Sequence, residues 1–105
     1  MIEKELVNRY VARMHRFLNT HADKIVFKKC KSNSGYYVTD IKEPKIWHIE
    51  LDYRDCVLSA LWHEALHRWH PDWNHAKIYK MESAIINNLS IRQVKNMLKK
   101  LGKVL

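Results

Sequence analysis

The sequence predicts an α+β domain: an N-terminal helix, a small, mostly antiparallel three-stranded sheet, a central helix and C-terminal helices. Three observations predict it. Apolar residues recur at helical spacing near both ends and in the middle of the chain, and three short β-branched and aromatic runs lie between residues 25 and 51. With 47% hydrophobic residues, two Gly and two Pro, a single domain spanning residues 1–105 can form a core.

The first helix is predicted over residues 2–18. Its apolar positions are spaced three or four apart and alternate with charged residues, so they should form one buried stripe. The stripe consists of Ile2, Leu6, Tyr10, Met14 and Phe17.

The sheet is predicted from residues 25–29, 36–39 and 46–51, with a turn at residues 31–35 that makes the second strand return beside the first. In the third strand Trp47, Ile49 and Leu51 alternate with more polar residues, so one face should pack on helices. If this strand lies at the sheet edge, it could bind an extended peptide by backbone pairing.

The central helix is predicted to begin at Asp52 as the N-cap, with Asp55 in its first turn, and to end before Pro71. A further helix spans residues 75–87, and Ser90 with Gln93 predicts a capping box that opens the last helix. The core stripe of the central helix should be Leu58, Trp62, Leu66 and Trp69, opposite a face of small and coordinating residues that includes Cys56, predicted to be buried.

The coordinating face carries the motif His63-Glu64-Ala65-Leu66-His67. Residues four apart lie on one face of a helix, so His63 and His67 can offer imidazole nitrogens to the same ion. Glu64 points about 100° away and can hold a water beside that ion. This pattern predicts a zinc site with Glu64 as general base.

Zinc needs at least one more protein ligand, and two residues of the next helix are candidates. Glu82 falls near the centre of that helix's apolar stripe, where an unpaired carboxylate would need a partner such as a divalent cation. His75 lies about 20° from Glu82, two turns earlier, and is the alternative third ligand. His70, at the end of the central helix, and Asp72, in the turn, are expected to play supporting or capping roles.

The motif at residues 63–67, followed by Glu82, resembles the zincin metallopeptidases of the gluzincin type. The resemblance implies a zinc bound by His63, His67 and Glu82, and a minimal zincin-like domain in which the central helix is the active-site helix. A second resemblance rests on Asn74-His75-Ala76-Lys77-Ile78-Tyr79, which is similar to the start of the third-ligand helix in SprT-like DNA-repair proteases. That resemblance implies His75 as the ligand.

The expected function is therefore zinc-dependent hydrolysis of a peptide or protein substrate, with Glu64 activating a water. An oxyanion helper is expected among His48, His70, His75 and the tyrosines. The activity could be latent if the Lys-rich tail from Lys95 to Leu105 folds over the cleft.

The formal charge of +8 adds nucleic acid as an alternative partner. Its main clusters along the sequence are Lys28, Lys29 and Lys31, and the lysines from Lys95 to Lys103. No apolar stretch has membrane-spanning length, and the N-terminus lacks a signal-like layout. Two cysteines, Cys30 and Cys56, form no disulfide framework, so a reduced, cytoplasmic setting is expected.

Overall fold

The computed structural model describes residues 3–29, 35–39, 42–43, 45–52 and 56–103. Within these ranges it is a compact α+β fold of four α-helices and one three-stranded mixed sheet, which confirms the predicted class. The elements are α1 Lys4–Thr20, a short 3-10 turn Ala22–Lys24, β1 Ile25–Phe27, β2 Gly35–Thr39, β3 Trp47–Leu51, α2 Val57–Trp69, α3 His75–Asn87 and α4 Ile91–Gly102.

The strand order differs from the predicted one. The order is β1-β3-β2, with β1 parallel and β2 antiparallel to β3, and the antiparallel ladder is the longer of the two. The predicted pairing of the first two strands is therefore wrong. Because β3 is the central strand, the edge position that peptide binding to it would have required is not met. The apolar face of β3, formed by Trp47, Ile49 and Leu51, is fully buried, as expected of a central strand.

Helix α1 buries a stripe next to the predicted one. Val7 and Val11 are buried with Met14, Phe17 and Leu18, whereas Leu6 and Tyr10 are only half-buried. The helix carries a second series of apolar residues at i, i+4 and i+7, displaced by one position from the predicted series. Helix α1 packs this second series against the core. Ile2, Cys30, Asp55 and the predicted turn at residues 31–34 lie outside the described residues.

The start of α2 differs from the prediction. β3 extends to Leu51, Asp52 is buried directly after it, and the helix begins only at Val57, with Cys56 in the N-cap position. Asp52 is therefore not the cap. Cys56 is exposed, not buried, and its thiol lies 3.5 Å from Ser59 Oγ. The predicted end is confirmed, because α2 stops at Trp69, with His70 as C-cap before Pro71.

The last two helices begin with side-chain caps. The Asn74 side chain accepts a hydrogen bond from the Lys77 backbone N–H, which starts α3 at His75. Ser90 and Gln93 form the predicted capping box of α4.

Helix α4 packs against α1 and buries Met97 and Leu101 in the core. Up to Lys103, the tail is therefore part of the folded domain, and the hypothesis that it covers the cleft finds no support in these contacts. No helix in the described part of the chain is long and apolar enough to cross a membrane.

Candidate metal centre

Helix α2 is enclosed by its neighbours and positions the candidate site. It packs against α3 on one side and against β2 and β3 on another, and every residue from Ala60 to Leu66 is buried. Because an α-helix turns about 100° per residue, seven consecutive buried residues cover its whole circumference. The histidine-bearing face is therefore buried at Ala60 and His63, while His67 near the end of the helix is half-buried.

The two histidines of the motif converge as predicted. His63 Nε2 and His67 Nε2 are 3.1 Å apart, and the ring centroids are 4.8 Å apart. Two nitrogens bound to one tetrahedral zinc at about 2.0–2.1 Å would be separated by roughly 3.3 Å. The pair is thus already close to the spacing that a shared metal ion requires.

His75 completes a cluster of three imidazoles. It is the first residue of α3, and its ring centroid lies 4.7 Å from that of His67 and 5.8 Å from that of His63. One nitrogen from each of the three rings lies within 4.8 Å of the other two. The residue that the sequence gave as the alternative third ligand is therefore the one that the fold brings to the histidine pair.

Glu82 lies beside His63 but outside this cluster. Its Oε1 is 3.7 Å from His63 Nδ1, the ring nitrogen that does not face His67, and its side chain is 13% exposed. At this separation the contact is electrostatic and not a formed hydrogen bond, and His63 Nδ1 is buried without a hydrogen-bond partner among the described residues. A carboxylate behind a metal-binding imidazole is a common arrangement, because it orients the ring and increases its basicity.

The surroundings shift the pKa values of the two motif histidines in opposite directions. The Glu82 carboxylate raises the pKa of His63 and outweighs the opposing effect of burial. Burial lowers the pKa of His67, and the neighbouring His63 and His75 lower it further. A lowered pKa keeps His67 neutral near pH 7, which is the form that binds metal ions.

Glu64 faces the sheet, on the side of β2. The backbone N–H of Tyr37 donates a hydrogen bond to its carboxylate. Burial raises the pKa of Glu64, while the nearby His63 and the Tyr37 hydrogen bond act in the opposite direction. Glu64 is thus a buried carboxylate with a raised pKa that follows His63 directly on α2.

Gly35 allows β2 to approach Glu64 closely. A Cβ at this position would lie 3.0 Å from the carbonyl oxygen of Glu50 and 3.4 Å from Cγ of Glu64. The sequence indicated Gly35 only as a turn residue, because the contact with α2 is formed across the fold.

The other candidate residues, His70, His48 and Asp72, lie outside the histidine cluster. His70 Nε2 is 3.0 Å from the hydroxyl of Tyr10, and its ring stacks on Trp73 with centroids 3.7 Å apart. His48 is hydrogen bonded to Glu50 at 2.9 Å. Neither residue belongs to the histidine cluster, and Asp72 is exposed in the turn after α2.

Among the tyrosines whose side chains the structure describes, Tyr79 lies at the cluster. Its ring centroid is 4.5 Å from that of His63, and the residue is 57% exposed. The sequence left the choice among the tyrosines open. The spacing of four residues from His75 was the available signal, because it places both side chains on one face of α3.

Comparisons with protein-family models, curated proteins and solved structures give no match for this chain.

Proposed function

We propose that the chain is a zinc-dependent hydrolase of the peptidase type, with His63, His67 and His75 as the zinc ligands. The observation that carries the proposal is the convergence of three imidazole nitrogens within 4.8 Å of one another. In this assignment Glu82 supports His63 from behind and is not itself a ligand. A ligand set with His75 agrees better with the SprT-like resemblance than with the gluzincin one, in which the third ligand is a glutamate.

The donor atoms fit zinc. Three imidazoles leave one position of a tetrahedral ion for water, which is the arrangement of catalytic zinc sites. The 3.1 Å separation between the Nε2 atoms of His63 and His67 is spanned either by an N–H of one ring that donates to the other or by a cation that both rings bind. A zinc ion would accept a lone pair from all three rings at once.

The residues around the cluster supply the remaining functions of a hydrolase. A bound zinc would lower the pKa of a water molecule and polarise the scissile carbonyl. Glu64 would accept a proton from the attacking water and deliver it to the leaving amine. Its raised pKa makes it a stronger base for the first of these transfers. Tyr79, next to His63, is our candidate for the donor that stabilises the carbonyl oxygen as negative charge develops.

The edge strand β2 is the proposed place for an extended peptide. β3 cannot serve because it is the central strand, whereas β2 has β3 on one side only. The contact between Tyr37 and Glu64 places this strand next to the proposed general base. A peptide that pairs with the edge of β2 would therefore run past the carboxylate.

The proposal is tested by hydrolysis of an unfolded, fluorescently quenched protein substrate. The wild type should cleave it, lose the activity in a chelator and recover it when zinc is restored, while Glu64→Gln should remain inactive with zinc present. Cleavage that is unchanged by chelation, or an equally active Glu64→Gln variant, would contradict the assigned chemistry.

A further inference from the structure

A cavity is formed on another side of α2 from the histidine cluster. It has a volume of about 490 Å³ and lies between α1, α2 and the start of β3. Three arginines line it, Arg13 and Arg16 from α1 and Arg68 from α2, and none of its lining residues belongs to the histidine cluster. We call this cavity the arginine groove.

Two of the guanidinium groups are held against tryptophan rings. Cζ of Arg68 lies 4.7 Å from the ring centroid of Trp47, and Cζ of Arg13 lies 4.7 Å from that of Trp69. Stacking of this kind stabilises the cation and restricts the side chain, while the N–H donors on the guanidinium edge remain free to bind an anion.

The groove lacks negative charge. No Asp or Glu is among its lining residues, and no ion pair of Arg13, Arg16 or Arg68 occurs within the described ranges. All three arginines are exposed in a chain whose formal charge is +8. Three uncompensated guanidinium groups around one cavity form a site for an anion.

The positive surface continues along α1. A neighbouring cavity of about 320 Å³ shares Arg13 and Arg16 with the groove and adds Arg9. These three residues are spaced four and three apart, so they form one stripe that spans roughly 10 Å of the helix. A linear array of this kind matches a chain of repeated negative charges better than it matches one free phosphate.

We propose that the arginine groove binds the phosphate backbone of a single-stranded nucleic acid. The arginines would contact successive phosphates, and the outer faces of the stacked guanidinium groups would provide surfaces on which unpaired bases can stack. A flexible single strand can adapt its backbone and its unstacked bases to these contacts better than a rigid duplex can.

The test is fluorescence anisotropy of a labelled oligothymidylate at several salt concentrations, with a zinc chelator present throughout. The triple variant Arg13→Gln/Arg16→Gln/Arg68→Gln is compared with Arg92→Gln/Lys95→Gln/Lys99→Gln, which removes the same charge from exposed positions of α4. We expect the groove variant to bind about tenfold or more weakly and with a smaller salt dependence, and the α4 variant to lose about twofold.

Further binding measurements distinguish a nucleic acid from other anionic ligands. Inorganic phosphate should displace the oligonucleotide only at concentrations at which salt alone does so, and a duplex of the same length should bind more weakly. The proposal is overturned if the wild type does not bind, if the two triple variants weaken equally, or if the groove residues support binding only of free phosphate or of phosphatidylserine vesicles.

A single substitution covers the case in which the triple variant does not fold. Arg16 has no tryptophan contact within the described ranges, so Arg16→Gln should leave the circular dichroism spectrum and melting temperature unchanged. It should still weaken oligonucleotide binding several-fold more than Lys95→Gln does, and equal effects would overturn the proposal. Because the chelator is present, failure of the proposed metal chemistry does not affect this result.

Discussion

The metal centre and the arginine groove are built on two sides of one helix, and neighbouring residues belong to different sites. His67 faces α3 and the histidine cluster, while Arg68 lines the groove with residues of α1 and β3. Consecutive helical residues point about 100° apart, so one buried helix can serve two surfaces. We therefore expect that each region can be altered without changing the other.

The metal centre and the arginine groove favour ligands of opposite charge. The metal centre has imidazoles with two carboxylates close by, Glu64 and Glu82, which suits a cation. The groove has three guanidinium groups and no carboxylate in its lining, which suits an anion. The following changes test this division, from the largest expected effect to the smallest.

Glu64→Gln should remove the general base while leaving both regions in place. The side chain keeps its size and an oxygen that can accept from the Tyr37 N–H, so we expect hydrolysis to fall by about 10²–10⁴-fold with zinc content and oligonucleotide binding unchanged. The measurement is initial rate together with metal analysis. A variant that loses zinc instead would mean that Glu64 is part of the ligand set.

Gly35→Ala should disturb the metal side of α2 but not the groove. Its Cβ would meet the Glu50 carbonyl oxygen at 3.0 Å and Cγ of Glu64 at 3.4 Å, so we expect a loss of about 1–3 kcal/mol in the free energy of unfolding and reduced hydrolysis. Urea denaturation measures the first effect.

Gly102→Ala in α4 is the matched control. Nothing lies within 4 Å of its added Cβ, so it should be neutral or stabilise by up to about 1 kcal/mol. Equal stabilities of the two alanine variants would show that the close contact of β2 with Glu64 does not constrain the fold.

Arg68→Lys should affect the groove and spare its neighbour His67. The charge is kept, but the planar group that stacks on Trp47 is lost, so we expect oligonucleotide binding to weaken by a few-fold. Zinc content and hydrolysis of a short peptide should match the wild type. A fall in zinc content would indicate that the two regions are coupled through α2.

We expect the smallest effect from substitution of His15, which lies outside both regions and changes how stability depends on pH. Burial lowers its pKa, with a further contribution from Lys100, and its Nδ1 is buried without a hydrogen-bond partner among the described residues. The unfolded chain takes up this proton near pH 6.5, before the folded chain does. Its neutral form therefore contributes stability that is fully present above that pH and is lost as the pH falls towards the lower folded value.

His15→Gln should flatten the decline in melting temperature between pH 7 and pH 5. His67 and His70, whose pKa values are also lowered, remain in both proteins, so the difference isolates His15. Parallel melting curves across this range would contradict the assignment.

The sequence predicted those features that depend on residues close together along the chain. The spacing of His63 and His67, the stop at Pro71 and the capping box of Ser90 with Gln93 are all set within one or two helical turns, and the structure contains each of them. The start of α2 was missed because Asp52 is an equally good cap by type, and only the length of β3 rules it out.

The features that were missed depend on packing between distant segments. Glu82 and His75 lie on the same face of α3 about 10 Å apart, and the way α3 packs on α2 decides which of them reaches His67. The strand order is likewise a non-local property. The groove combines Arg13, Trp47 and Arg68 from three elements, whereas the sequence drew attention to the lysine clusters.

Metal analysis of untreated wild-type, His75→Ala and Glu82→Gln proteins tests the central assignment most directly. The account predicts about one zinc per wild-type chain, its loss in His75→Ala, and retention in Glu82→Gln with an affinity about 10–100-fold lower. A metal-free wild type, or zinc that is retained in His75→Ala and lost in Glu82→Gln, would contradict it.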